Sequence, residues 1–199
     1  MLFILYPKIF KYDIISMVII MKLITFLLIV IAISGILAII YATTYNNLVT
    51  FKLKIDKAES LIDEALRNKY DIIGKLNIAI KKVMPKKDYL KEYIDLKNKN
   101  ISNYELDRKL TEAHNLILEI KDDHKELNTK AINKDLKDIE KINETLISSK
   151  NYFNKNTGEL NKLVRKFPSN IIAKIHSFKI RPFFDGKNMQ DNIVDDFKL

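Results

Sequence analysis

Residues Leu23 to Tyr45 read LITFLLIVIAISGILAIIYATTY and contain no charge. A helix needs about 20 apolar residues to cross a hydrocarbon core of roughly 30 Å. A cleaved signal peptide has a shorter apolar region, about 7–15 residues, and a small-x-small cleavage site. This run is longer, and Ile40-Tyr41-Ala42 does not supply such a site. A buried core helix of this length carries polar breaks. The expectation is therefore a single membrane-spanning helix over 21–45, placing residues 23–45 in a lipid bilayer. Residues 1–20 form a flank of uncertain start, since Met17 and Met21 are alternative first residues and Met21-Lys22 directly precedes the apolar run. Lys52, Lys54 and Lys57 follow the run closely, against Lys8, Lys11 and Lys22 before it from Met1 and Lys22 alone from Met21. Excess Lys and Arg favours the cytoplasmic side, so the C-terminal part is expected there.

Charge narrows the function classes less than the anchor narrows location. Phe51 to Phe184 holds 29 Lys and Arg against 20 Asp and Glu, a balance of +9. A basic domain beside a bilayer can rest on anionic headgroups or bind nucleic acid. Lys-rich solvated helix faces explain the same balance, with no tight basic cluster and no aromatic-interleaved basic strand for stacking bases. Nucleic acid is accordingly not the expected partner. The chain has no cysteine, which removes lipoprotein anchoring, disulfides and thiolate metal sites.

After the anchor, apolar residues step by three or four, as one face of a helix requires. Leu48, Phe51, Ile55, Ala58, Ile62, Leu66, Tyr70, Ile73, Leu76, Ile80 and Val83 form the first stripe. Its two consecutive steps of four at Ile62–Leu66–Tyr70 read as a stutter. No Pro or Gly separates Tyr45 from Lys52, so anchor and first bundle helix are expected to be one helix from Lys22 to Val83. Gly74 lies inside it, and Pro85 ends it. A short helix is expected over Lys87 to Asn98. A capping box, Ser102-x-x-Glu105, opens a third through Leu106, Leu110, Ala113, Ile117 and Ile120 to about Leu127. A fourth covers Ala131 to Lys166, with Ile139, Leu146, Phe153, Leu160 and Phe167 every seven residues. Its partner seam is Leu136, Asn143, Lys150, Thr157 and Val164; Lys150 is expected to snorkel outwards. Pro168 stops this helix, and Phe167 to Phe178 supply an apolar return segment. The expected fold is all-α, an antiparallel four-helix bundle over 46–184 continuing from the anchor, with a loose acidic tail over 185–199.

Chemistry-bearing patterns are sparse. His114, His124 and His176 fall in no metal-binding frame, and His176 reads as a packed or capping imidazole. Asp122-Asp123-His124 reads as a solvated helix end. No phosphate loop, dinucleotide fingerprint or nucleophile elbow occurs, so no enzyme, cofactor, metal or small-molecule substrate is expected.

Several local patterns occur together: Tyr45-Asn46-x-Leu48-Val49 after the anchor, Arg67-x-x-x-Asp71-Ile72-Ile73 in the first helix, Phe153-Asn154 and Leu160-Asn161 seven residues apart, Phe167-Pro168-Ser169-Asn170-Ile171-Ile172-Ala173, and Arg181-Pro182-Phe183-Phe184. Together they resemble the LemA family of bacterial membrane proteins. That family's pattern places YN-x-LV after an N-terminal anchor, RR-x-DLIP-x-LV in the first helix, and two YN pairs before FP-S-N-L-I-A. Here Asn68 stands for the second Arg, Gly74 for the Pro, and Phe153 and Leu160 for the two Tyr. The resemblance implies one N-terminal transmembrane helix, an antiparallel four-helix bundle on the cytoplasmic side, and no catalytic residue to carry over. Tyr45, Asn46, Arg67, Asp71, Asn154, Asn161, Phe167, Pro168 and Asn170 are the matched residues that invite a role. Asn154 and Asn161 share a face of the fourth helix, and Arg67 and Asp71 are i,i+4 on the first. Antiparallel packing of those helices is expected to join them in one polar network. That network either fixes register or forms a polar groove for a partner protein's helix.

Overall fold

The computed structural model describes residues 6–98 and 101–185, with side chains from Ser16 onward and without those of residues 97 and 98. Five α-helices follow in order: α1 Tyr6–Val83, α2 Lys91–Ile94, α3 Asn103–Asp123, α4 Lys130–Arg165 and α5 Ser169–Ile175. Short 3-10 turns cover Asp95–Asn98 and Lys125–Leu127. Among the described residues there is no strand. The chain divides into two compact units between Asn47 and Leu48.

The first unit is helical from Tyr6, sixteen residues before the expected start at Lys22. Pro7 sits in the first turn, where a missing N–H costs nothing, and neither Pro nor Gly interrupts the chain until Gly35. The stretch within Ser16–Val83 is long and apolar enough to cross a membrane, and none of that window is buried. Leu23, Phe26, Leu37 and Ile39 all expose more than half their surface. The expected acidic tail begins at Asp185 and otherwise lies outside the described residues.

The second unit is an up-down-up-down bundle. The segment after Pro85 reverses along α1, since Asp88 pairs with Lys81 and the Ile94 carbonyl with Tyr70. Chain α3 then runs parallel to α1: Asn103 donates to Asp63, and Lys69 faces Asp107 and Thr111. Finally α4 returns, with Lys150 on Asp107. Leu66, Ile73, Leu76, Leu90, Leu110, Ile117, Leu136, Ile139 and Leu146 build the shared core. Burying each such side chain contributes about 1.5–3 kcal/mol.

The second member differs from the expected helix over Lys87–Asn98. It is one α-turn that tightens into a 3-10 turn. The Tyr70 hydroxyl donates to the Ile94 carbonyl at 2.5 Å, taking an acceptor that a continuing α-helix offers to residue 98. Helices α3 and α4 start as their sequences require. Ser102 accepts from the Glu105 N–H and Thr129 from that of Ile132.

Because the second member is short, it covers only the part of α1 around Tyr70 to Lys81. Alongside Asp56 and Glu59 its place is taken by residues 178–185. After α5 the chain reverses at Ser177, which has φ 58°. Ser177 N–H donates to Lys174 O and Phe178 N–H to Ala173 O, the bond pair of a Schellman helix end. The extended strap then runs antiparallel to α4.

Two details of the expected seams are corrected. Phe167 does not continue the α4 seam but is 73% exposed, because Lys166 has left helical geometry at the C-cap. The apparent stutter in α1 disappears, because Lys69 takes the missing position: Ile62, Lys69 and Leu76 are spaced by seven and all are buried.

Candidate functional site

The site is assembled where α4, α1 and the start of α3 meet the strap. Asn154 and Asn161 are two turns apart on α4, so their amides point in one direction. Asn161 is fully buried. Its Nδ2 donates to the Arg181 carbonyl at 2.8 Å, and its Oδ1 accepts from the Arg181 N–H at 2.9 Å. One side chain thus satisfies both backbone groups of one strap residue, as a neighbouring strand does in a sheet. Asn154 Oδ1 accepts from the Phe184 N–H at 2.8 Å. On the opposite side, Arg181 Nη1 reaches Asp56 Oδ1 at 2.8 Å and Glu59 Oε2 at 4.0 Å on α1. These side chains are partly solvated, so the pair contributes at most about 1 kcal/mol.

Phe184 ends the strap in an aromatic corner. Its ring meets Tyr104 and Phe153 edge-on, at centroid distances of 6.1 and 6.4 Å. Lys150 Nζ lies 5.5 Å from the same ring centre. The strap walls an open cleft of about 520 Å³ with Glu59, Tyr104 and Phe153.

Lys150 connects this corner to the bundle interior. It does not snorkel into solvent but pairs with Asp107 Oδ2 at 2.7 Å, because an acid lies opposite it on α3. Asp107 Oδ1 is 4.0 Å from Lys69 Nζ, and Lys69, only 1% exposed, also donates to Thr111 Oγ1 at 3.0 Å. Burial pushes the Lys69 ammonium below its ordinary value, Asp107 opposes that, and Lys150 adds to it. One turn on, His114 is nearly buried with no hydrogen-bond partner for Nε2. Burial and then the Lys69 cation hold its imidazole below the usual value, against a smaller pull from Glu140.

The matched residues therefore separate into groups. Asn154 and Asn161 act together, but on the strap backbone and not on Arg67 and Asp71. Those two are exposed on the outer face of α1, since seven-residue spacing puts Lys69, not Arg67, towards the core. Asn46 is exposed and Tyr45 half-buried, both in the first unit. Phe167 and Pro168 are exposed at the turn into α5. Asn170 is half-buried, and its side-chain oxygen has no hydrogen-bond partner. The neighbouring Ser169 hydroxyl lies 2.7 Å from the carbonyls of Leu163 and Lys166, which seats α5 on the end of α4. His176 is exposed at the C-cap of α5. The sequence patterns do not mark Lys69 and Asp107, and they mark His114 only as a histidine outside any metal-binding frame; only the spacing of Lys69 from Ile62 and Leu76 signals its burial.

Chemically this arrangement holds backbone and neutralises charge. Among the described residues no three His, Cys, Asp or Glu converge to hold a metal ion. Compared with families of known sequence, residues 58–196 match the LemA family. The chain belongs to the LemA family. The match takes in the bundle from residue 58 on, both strap-holding asparagines and the FPSN turn, while Tyr45-Asn46-x-Leu48-Val49 lies before it. In this LemA-family chain the pattern's paired asparagines fasten the C-terminal strap. Comparison with curated proteins and with solved structures finds no match.

Proposed function

We propose that this LemA-family protein is a single-pass membrane protein whose bundle is a non-enzymatic scaffold, binding another protein beside the bilayer. The observation that carries the membrane half is the exposure of large apolar side chains from Met17 to Tyr41, which water does not tolerate as a continuous surface. The scaffold half is supported by the outer face of α1. Leu53, Leu61, Arg67, Asp71 and Ile78 are all exposed along one helix, a mixed apolar and charged stripe of the kind a partner helix packs against. The cations that follow the apolar run support a bundle on the cytoplasmic side.

A photo-crosslinking side chain at Leu61 or Ile78 tests this in native membranes. The expected result is one discrete protein adduct, with none from Ile147, which is exposed on α4. Adducts to lipid alone, or the same pattern from all three positions, would contradict it.

A further inference from the structure

The chain from Leu160 to Phe184 holds six Lys and Arg and no acid. Lys162 is paired with Glu159 and Arg181 with Asp56. Arg165, Lys166, Lys174 and Lys179 are exposed and carry no ion pair among the described residues. In their midst, Phe167, Ile171 and Ile175 recur every four residues and are 73%, 51% and 64% exposed. The other side of α5, Ile172 and Ala173, is buried on the bundle. A short helix thus presents an apolar ridge to the outside with unpaired cations around it.

Its position in the bundle selects the occupant. Asn161 on α4 and Asp56 on α1 hold the same strap residue, Arg181. Beyond that level α4 runs on to Arg165 and α5 is packed at its end. This is the end at which the second unit begins, at Leu48 of α1, three residues after the uncharged run closes at Tyr45. An apolar ridge with basic neighbours, at the end of the bundle that the chain enters from the uncharged run, fits the interfacial zone of an anionic bilayer: rings and aliphatic chains enter the acyl boundary, and long cations reach headgroup phosphates.

We propose that Phe167, Ile171 and Ile175 form a foot that seats α5 in the surface of an anionic bilayer, with Arg165, Lys166, Lys174 and Lys179 on the headgroups. The foot rests on the reading that residues 23–45 span that bilayer. It adds a second membrane contact far along the chain, which fixes the bundle's tilt and leaves the outer face of α1 presented at one height.

The chain lacks cysteine, so single-cysteine variants can be labelled uniquely. The full chain is placed in vesicles of phosphatidylcholine with phosphatidylglycerol that carry a lipid-borne quencher. A small fluorophore is attached in turn to Leu28→Cys, Ile171→Cys, Phe167→Cys and Ile147→Cys. The foot predicts quenching at 28, 171 and 167 and little at 147. It also predicts weaker quenching at 171, but not at 28, in pure phosphatidylcholine. Lys166→Gln and Lys174→Gln should each lower the ratio of seated to unseated foot by about five-fold. Quenching at 28, with 171 and 167 no more quenched than 147, overturns the foot and leaves the anchor standing. No quenching at 28 overturns the anchor and the foot with it.

Discussion

At the scale of single residues, amides and one lysine organise this molecule. Asn161 is buried and makes both of its hydrogen bonds to one strap residue. Asn161→Ala leaves the Arg181 N–H and carbonyl without partners, which costs about 1–3 kcal/mol. The expected result is a lower denaturation midpoint together with faster tryptic cleavage after Lys179, the Arg181-Pro182 bond being resistant to trypsin; an unchanged midpoint and cleavage rate would show that the strap holds itself. His114 gives a pH-dependent term. Its folded value lies below the ordinary one, so the unfolded chain binds the proton more readily. The stability it contributes is present above about pH 6.5 and is lost as pH falls through the folded value. Removing the imidazole in His114→Leu should flatten thermal stability against pH across that window relative to the unaltered chain, and two parallel profiles would count against a buried neutral imidazole. Lys69 shows what residue type alone conceals. Apolar patterning skips a lysine, yet Lys69 stands seven residues from both Ile62 and Leu76, on the same buried face.

At the scale of elements, long one-sided helices were legible and short tight ones were not. The stripes of α1, α3 and α4 announced themselves because burial of a helix face imposes the three-four step over many turns, and the capping box at Ser102 marked one start. The second member escaped because a segment of two turns has too few repeats to separate α from 3-10 geometry, and Tyr70 on another helix decides the outcome. The strap escaped for a different reason. Its backbone is satisfied by side chains 20 and 30 residues earlier, a pairing with no local period. The paired asparagines were visible, but their partners were assigned to Arg67 and Asp71 when the strap was the true ligand. The basic character of residues 160–184 was also hidden, since it arises from missing acids and not from a dense run of lysines. The reversal at Ser177 supplies an element-scale prediction. A left-handed conformation costs a non-glycine residue about 1–2 kcal/mol, partly offset by glycine's larger unfolded entropy. Ser177→Gly should therefore leave stability unchanged or raise it by up to about 1 kcal/mol, read by denaturant unfolding. A clear loss would mean that the serine side chain, not the turn, holds the reversal.

At the scale of the whole molecule, helix α1 changes character along its length. From Leu23 to Tyr45 it carries no charge on any face, and from Leu48 only one face is apolar. In the proposed reading, the change from uniform to one-sided hydropathy is the passage from lipid to bundle, and the cations after it favour the cytoplasmic side. The most direct test of this account is protease protection of the full chain in protoplasts. The predicted result is that trypsin leaves the bundle intact until the membrane is lysed, and that the protected chain sediments with the membrane. Loss of the bundle in unlysed protoplasts, or its recovery in the soluble fraction, would contradict it.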